Sequence, residues 1–141
     1  MHARRTAIKL AGRLHKGVYR LSGGRVLGRV ANMPVLLLTT TGRRSGRVTT
    51  TPLTYLESDM GIVVVGSNGG EDTAPSWWLN LLANPEATIT RGRRSEPVVA
   101  RPATATEHAR LWPAVIETNP GYARYAARTS RPIPLVVLSP A

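Results

Sequence analysis

Short segments rich in β-branched residues, mostly joined by glycine-containing turns, dominate this chain of 141 residues. β-Branched side chains fit the pleated surface of a sheet, and a short turn between two such segments pairs them antiparallel. Pro52 falls inside the second segment, which predicts an edge position or a bulge there, because proline has no N–H to give to a neighbouring strand. The six predicted strands span residues 34–41, 47–56, 62–66, 86–91, 96–101 and 133–138.

Helical patterns occur at the start, in the middle and near the end of the chain, so strands and helices do not alternate. That order argues against a doubly wound parallel sheet and favours a mostly β protein with helices, an α+β fold built on a small barrel. Thr104 and Glu107 have the spacing of a capping box at the start of the third helix. The predicted helices span residues 5–21, 75–83, 104–117 and 122–128.

Composition excludes several classes of protein. No uninterrupted apolar run exceeds four residues, whereas a membrane span needs about 20, and the apolar segment of a secretory signal is missing as well. The chain has no cysteine, which excludes disulfides, a thiolate nucleophile and cysteine-ligated metal centres. We therefore expect one soluble, intracellular domain, located in the cytoplasm.

Basic charge is concentrated in one part of the chain. Residues 1–56 hold eleven arginines and lysines and no acidic residue, whereas residues 57–141 hold eight arginines and eight acids. The formal net charge of +11 is therefore set by the first 56 residues. An acid-free stretch of this length indicates an anionic partner, which is a nucleic acid, an anionic lipid, or a phosphorylated or carboxylated small molecule.

The first predicted helix is basic on one side and apolar on the other. This pattern divides the chain into an N-terminal amphipathic segment, residues 1–24, and a barrel domain, residues 25–141. A basic amphipathic helix can lie on an anionic membrane surface. Its apolar face carries no Trp or Phe anchor, so packing on the core of the same domain is favoured over membrane docking.

The turn at residues 42–47 is the best local candidate for a binding site. Gly42 and Gly46 allow backbone N–H groups to converge on an anion, and three arginines and a serine lie between and beside them. The threonines at 49–51 add further hydroxyl donors. On the turn alone, an anion cradle and an ordinary solvated turn are equally good interpretations.

Residues typical of catalytic or metal sites are scarce. The chain has three scattered histidines, no HExxH and no GxSxG, so an enzyme of this sequence would take its chemistry from an organic cofactor. The polar loop at 67–70 suits either a flat ligand or simple flexibility. Trp78 shares a helical face with leucines and is expected in the core, which leaves Trp77 free to line a pocket. Tyr122 and Tyr125 lie one helical turn apart, where they either meet a ligand or pack.

Five motifs stand in order along the chain: LLLTTTGRRSGRVTTTPL at 36–53, SNGG at 67–70, WWLNLLANP at 77–85, NPGYARY at 119–125 and RPIP at 131–134. Together they resemble the deazaflavin-dependent nitroreductase family of actinobacteria, whose members use coenzyme F420. The resemblance implies a split β-barrel fold related to flavin-binding reductases. It also implies a cofactor with an anionic phosphate and an anionic oligoglutamate tail, which suits the acid-free part of the chain.

The same resemblance assigns roles to individual residues. Arg43, Arg44 and Ser45 would bind the phosphate region, and Tyr122 would lie over the reacting face of the cofactor. Three segments would line the deazaflavin and its ribityl chain. They are Thr49, Thr50, Thr51, Pro52 and Leu53, then Val65, Gly66, Ser67 and Asn68, and then Ser76, Trp77, Trp78, Leu79 and Asn80.

The reaction implied is hydride transfer from the reduced deazaflavin to a small electrophilic acceptor such as a quinone, an enone or a nitro compound. The cofactor supplies the hydride, and the protein holds the two rings at reacting distance. The proton for the product would come from Tyr122, Tyr125, Ser67 or water, and the sequence leaves these sources open.

Two positions depart from the family pattern. Thr49 stands where the family often has Arg, and Arg47 could take over that contact. Asn119 stands where members that activate nitroimidazole prodrugs carry a Tyr. The second departure argues against nitroreduction of that kind and leaves quinones and other conjugated acceptors as substrates.

Three alternatives stay open on the sequence. One is an FMN-dependent reductase of the same barrel type. Another is a non-enzymatic nucleic-acid-binding domain that uses the basic part, although only Tyr19 and Tyr55 could stack on bases there. The third is compatible with the enzyme: residues 5–21 would attach it to the inner face of the plasma membrane. A monomer and a homodimer are both consistent with the sequence.

Overall fold

The strands of the chain close into a barrel. The computed structural model describes residues 29–30 and 33–141. The strands are β1 (Arg29–Val30), β2 (Met33–Thr41), β3 (Val48–Ser58), β4 (Gly61–Val65), β5 (Glu86–Arg91), β6 (Arg94–Pro102) and β7 (Leu135–Pro140). They lie side by side in the order β1-β2-β3-β4-β7-β6-β5, and β5 pairs back onto β2. All pairings are antiparallel, so β2 to β7 form a six-stranded closed barrel.

Three α-helices cover the barrel in the described part of the chain. They are α1 (Ser76–Ala83), α2 (Ala105–Thr118) and α3 (Gly121–Ala127), and a single 3-10 turn occupies Asn68–Gly70. Helix α2 begins at the capping box that the sequence predicts. Thr104 Oγ1 accepts from the Glu107 backbone N–H, and the Glu107 carboxylate accepts from the Thr104 backbone N–H.

Apolar side chains form two layers, one inside the barrel and one outside it. Helix α1 plugs the interior, where its tryptophans and Leu81 pack among inward-facing residues of the strands such as Leu36 and Leu38. Helices α2 and α3 cover the outer face of β4 and β7. These two strands are therefore buried on both faces, which explains why Ile62–Val65 and Leu135–Leu138 are apolar at every position rather than at alternate positions.

Strand β3 divides its pairing between two neighbours. Residues 48–54 pair with β2, and residues 55–58 pair with β4. The first half of β3 therefore has one edge that pairs with no other strand of the described chain, and Pro52 lies in that half. The edge position predicted for Pro52 is confirmed, because a residue without an N–H loses no ladder bond there.

The predicted α+β barrel is confirmed, with small shifts in the bounds of its elements. The two-residue strand β1 was not predicted, since a pair of residues carries no periodic signal. Strand β6 begins two residues earlier than predicted because the turn before it is tight, with Gly92 at φ 62°. The predicted helix at 5–21 lies outside the described residues. Within them, no helix has the length and apolar character that crossing a membrane requires.

Candidate active site

The turn between β2 and β3 is closed by its own backbone. Gly42 N–H donates to Arg47 O at 2.7 Å, and Gly46 N–H donates to Gly42 O at 2.9 Å. A Cβ at position 42 would lie 2.8 Å from Ser45 Oγ and 3.1 Å from Arg47 O, so any larger residue would crowd the turn. Gly46 has a φ of 71°, which side chains other than glycine's rarely accommodate. Both positions therefore favour glycine, Gly46 for its backbone conformation and Gly42 for its close contacts.

Four backbone N–H groups of this turn already have partners within the protein, and the convergence of backbone N–H groups on an anion stays a prediction. The N–H groups of Gly42 and Gly46 close the turn, that of Arg47 donates to Ser45 Oγ at 3.1 Å, and that of Arg43 donates to Asn80 Oδ1. The side chains of Arg43, Arg44, Ser45 and Arg47 are all exposed, so they can meet an anion at this turn. An anion bound here would be held by guanidinium and hydroxyl groups.

The arginines of the turn keep their charge accessible. Within residues 33–141, ion pairs to carboxylates are formed by Arg91, Arg101 and Arg110, all outside the turn. Arg44 and Arg47 are exposed and pair with no carboxylate of that part of the chain. Planar guanidinium groups in this state are suited to phosphate and carboxylate ligands. The donor set therefore fits a polyanionic cofactor.

Alternation along β3 divides the predicted cofactor residues between two faces. In the register with β2, Thr51 and Leu53 lie opposite Leu38 and Leu36, which point into the barrel. Thr49 belongs to the same inward set, at the exposed end of the strand. Thr50 and Pro52 have the opposite orientation, and Thr50 Oγ1 lies 3.0 Å from Thr39 Oγ1 on the outer face. Thr50 and Pro52 therefore lie on the face of β3 whose next residue, Thr54, contacts Tyr122.

Tyr122 on α3 lies against the outer face of β3. Its hydroxyl is 2.6 Å from Thr54 Oγ1, and either oxygen can be the donor. The side chain of Tyr122 is only 7% exposed, and burial raises the pKa of its phenol above the usual value, although the bond to Thr54 acts in the opposite direction. Tyr125 packs edge-on against it, with ring centroids 5.9 Å apart. The phenol is therefore protonated at neutral pH and held in one orientation.

Thr54 was not predicted as a site residue. The predicted cofactor segment stopped at Leu53, one residue short. The alternation of Thr50, Pro52 and Thr54 on one face of an edge strand is the signal that could have found it.

Ser67 and Asn68 lie in the loop that follows β4, which contacts α3. Ser67 is buried, and Asn68 donates from Nδ2 to Thr73 O at 2.9 Å. Before them, Gly66 lies so close to the ring of Pro134 that a Cβ would be 2.8 Å from Cγ of that proline. Val65 is buried among the residues under α2 and α3 and does not face an open surface.

Helix α1 contributes to the barrel core more than to an open site. Trp77 is 6% exposed and belongs to the interior cluster together with Trp78, so the expectation that Trp77 is free to line a pocket is wrong. The helix enters the barrel mouth, where both indole rings find apolar surroundings. Ser76 is exposed, Leu79 is half-buried, and Asn80 is buried against the turn at 42–47.

Neither of the two best-defined cavities coincides with the predicted cofactor residues. The larger, about 670 Å³, is a mostly apolar groove whose lining includes Trp78, His108, Arg131 and Ile133. The smaller, about 420 Å³, is lined on one side by Thr39–Thr41 and Val48. Only Trp78 belongs to both a cavity and the predicted set. The predicted residues are therefore not gathered around either of these two cavities: some lie on the exposed turn and along β3, and others, such as Val65 and Trp77, are buried.

The structure therefore forms three groups from the predicted residues. Arg43 and Asn80 are joined at the turn, Thr50 and Pro52 lead along β3, and Tyr122 sits with Tyr125 at the far end of that face. No cluster of three or more His, Asp or Glu that could hold a metal ion occurs within residues 29–30 and 33–141.

Comparison with known proteins gives a family for this arrangement. The model of the family described as F420H(2)-dependent quinone reductase matches residues 11–140. An F420H(2)-dependent quinone reductase of Mycobacterium tuberculosis (strain H37Rv) is 42% identical over 131 residues, which are 90% of this chain and 88% of that protein.

Solved structures agree with the sequence match. A structure described as an F420-H2 dependent reductase has a TM-score of 0.67 at 34% identity and covers 75% of this chain and 94% of its own. A structure described as a domain-swapped dimer has a TM-score of 0.70 at 32% identity and covers 89% of this chain and 96% of its own.

Proposed function

The chain belongs to the F420H(2)-dependent quinone reductase family, and from that premise we propose that the turn at 42–47 and the outer face of β3 hold the cofactor. The enzyme is a deazaflavin-dependent oxidoreductase that transfers hydride from reduced F420 to quinone-type acceptors. The family favours F420 over the FMN alternative and an enzyme over a nucleic-acid-binding domain.

One observation carries the assignment of the site. A turn with exposed arginines, whose base is held by the buried Asn80, continues into a strand face that ends at the hydroxyl pair of Thr54 and Tyr122. A strand rises about 3.3 Å per residue, so Val48 and Thr54 are separated by roughly 20 Å. That length suits a ligand with an anionic tail at one end and a flat ring at the other.

The basic end of this face would bind the anionic part of the cofactor. Arg44 and Arg47 offer guanidinium forks, and the Ser45 hydroxyl can donate outwards while its oxygen accepts from Arg47 N–H. Arg43 is already bonded to Asn80 through Nη1, which orients its guanidinium towards α1. Arg47 also stands close to Thr49, where the family often has an arginine.

The hydroxyl end would serve the acceptor. When bound, reduced F420 supplies the hydride. Tyr122 keeps its proton at neutral pH because burial raises the pKa of the phenol, so it can donate to an oxygen that gains negative charge. Thr54 orients that phenol, and Tyr125 and Ser67 are the other predicted sources of the proton.

Partners beyond the quinone-type acceptor follow from weaker signals. A similar structure described as a domain-swapped dimer favours a homodimer for this chain. Contact of residues 5–21 with an anionic membrane, a location in the cytoplasm, and the division into segments 1–24 and 25–141 stay predictions.

Binding and turnover by the purified protein test the proposed function. Fluorescence titration with oxidised F420 should show saturable binding, and reduced F420 should be consumed only when a quinone is present. Reduced FMN serves as the matched donor and should not replace reduced F420. Absence of F420 binding, or equal turnover with reduced FMN, would overturn the proposal.

A further inference from the structure

Arg131 is bonded to three backbone carbonyls of the loop that follows β4. Its Nη1 donates to Gly66 O at 3.1 Å, its Nη2 to Ser67 O at 2.8 Å, and its Nε to Glu71 O at 3.0 Å. All three nitrogens of the guanidinium plane are therefore engaged with one short stretch of chain.

We propose that Arg131 is a positioning residue for hydride transfer, which fixes the loop from Gly66 to Glu71 and with it Ser67 and Asn68. The inference rests on the proposed function, because that function gives the loop its place beside the cofactor. Arg131 itself is assigned no contact with the cofactor or the acceptor.

The loop needs an external hold because its backbone is unusual. Asn68, Gly69 and Gly70 have φ values of 48°, 63° and 79°, three successive residues in the left-handed region. Such conformations persist only where surrounding contacts determine them. Two turn bonds, from Gly70 N–H to Ser67 O and from Glu71 N–H to Asn68 O, are internal to the loop. The bonds from Arg131 tie both ends of the loop to the chain that follows α3.

The same loop packs against the helix that carries the two tyrosines. A Cβ at Gly70 would lie 2.8 Å from Tyr125 O and 3.0 Å from Tyr125 Cα, so the two backbones are in direct contact. Thr129 Oγ1 donates to Asp72 Oδ1 at 2.9 Å, which closes the junction on its exposed side. A shift of the loop would therefore change the position of Ser67 relative to Tyr122 and Tyr125 at once.

The bonding suits arginine and not lysine. A guanidinium group presents five N–H donors in a plane, whereas an ammonium group has three donors at a single nitrogen. A lysine at 131 could therefore reach one or two of the three carbonyls but not the whole set. The side chain of Arg131 is half-buried, and this burial lowers the pKa of its guanidinium, with the charge of Asp72 acting against that shift.

Three variants test the proposal: Arg131→Met, Arg131→Lys and, as the matched control, Arg110→Met. Arg110 also gives two hydrogen bonds, to Asp59 at 3.2 and 3.1 Å, but at the turn between β3 and β4. Hydrogen exchange of the cofactor-free protein reports on the loop amides, and steady-state kinetics report kcat and KM for reduced F420 and for the quinone. All measurements are made well below the unfolding temperature of each variant.

In Arg131→Met, we expect exchange at Gly70 and Glu71 to accelerate by about tenfold and kcat to fall by about 10- to 100-fold, since small displacements of a positioned group have effects of that size. Arg131→Lys should give intermediate values for both, and Arg110→Met should change neither. If Arg131→Met does not fold, Arg131→Lys carries the test.

Unaltered exchange in the loop would overturn the proposal, and so would faster exchange combined with wild-type kcat and KM. Absence of turnover in the wild-type protein would instead overturn the proposed function. In that case the exchange rates would still decide whether Arg131 holds the loop.

Discussion

Asn80 on α1 accepts two hydrogen bonds from Arg43, one from its backbone N at 3.1 Å and one from its Nη1 at 3.0 Å. Its own Nδ2 donates to Thr40 Oγ1 at 3.2 Å, and its side chain is only 4% exposed. One buried amide thus joins the helix that plugs the barrel, strand β2 and the basic turn. Asn80 therefore has a route to a ligand of the turn through Arg43, and its own contact with the cofactor stays a prediction.

Asn80→Ala should weaken F420 binding by about tenfold, which corresponds to about 1.4 kcal/mol, because the turn loses the partner of Arg43 and Thr40 loses a donor. Titration with oxidised F420 measures the dissociation constant. Asn84→Ala is the matched control, since the Asn84 side chain accepts from Glu86 N–H at the far end of α1, away from the turn at 42–47. Equal affinities for the two variants would show that Asn80 has no part in orienting the turn.

Arg44→Ala should cost about 1–3 kcal/mol of F420 binding free energy, the loss expected for a hydrogen bond between charged groups. The loss should shrink as salt is added, because an exposed charge is screened. Arg93→Ala removes the same charge from the turn between β5 and β6. The antiparallel register of β2 and β5 places that turn at the other end of the barrel. A dissociation constant that Arg44→Ala leaves unchanged would argue against the basic turn as the anion site.

Tyr122→Phe should lower kcat by about 10²- to 10⁴-fold if its phenol protonates the acceptor. Burial raises the pKa of Tyr122, so the phenol is protonated throughout the neutral range. Deprotonation of this phenol should therefore lower the activity of the wild-type enzyme only at pH values above the usual pKa of tyrosine. Tyr125→Phe, on the same helix, is the matched comparison. A wild-type kcat in Tyr122→Phe would transfer the role to Tyr125, Ser67 or water.

Trp77→Ala should lower the free energy of unfolding by about 3–5 kcal/mol, because the indole fills the barrel mouth and leaves a cavity when removed. Leu82→Ala on the same helix truncates a side chain that is 58% exposed. This control should change the free energy of unfolding by no more than about 0.5 kcal/mol. Urea unfolding measures both. Similar stabilities for the two variants would show that Trp77 is not part of the core and would support the prediction that it lines a pocket.

Local patterns predicted the elements of this fold well, because each strand and helix has its own boundary signals. The turn glycines at 42 and 46 and the capping box at 104–107 are examples that the structure confirms. Patterns of this kind could not predict which residues meet across the chain. The bond between Thr54 and Tyr122 joins residues 68 positions apart, and that between Arg43 and Asn80 joins residues 37 positions apart.

Trp77 is a second case in which a local pattern did not contain the tertiary contacts. Helical spacing placed Trp77 and Trp78 about 100° apart and suggested that only one could be buried. A helix that packs on a flat surface buries a narrow stripe, but α1 packs at the mouth of a closed barrel and buries a wider face that includes both Trp77 and Trp78, while Leu82 stays exposed. The error therefore came from the tertiary environment, which the spacing of two residues does not contain.

The capping box at the start of α2 should make the free energy of unfolding depend on pH in the acid range. Arg101 donates to both carboxylate oxygens of Glu107, at 2.7 and 2.9 Å, and the Thr104 backbone N–H donates to one of them. These bonds lower the pKa of Glu107 from 4.5 to about 2. A carboxyl group whose pKa is lower in the folded protein than in the unfolded chain stabilises the fold at pH values above the unfolded-chain pKa. It loses that contribution as the pH falls and the group is protonated in the folded protein.

The free energy of unfolding of the wild-type protein should therefore fall between pH 4.5 and pH 2 more steeply than that of Glu107→Gln. The variant keeps an acceptor for the Thr104 N–H but has no charge to lose in this range. Urea unfolding at a series of pH values measures the two curves, with the values at pH 7 as the common reference. Parallel curves would mean that the pair of Arg101 and Glu107 forms no effective charge-assisted bond in solution, where both side chains compete with water.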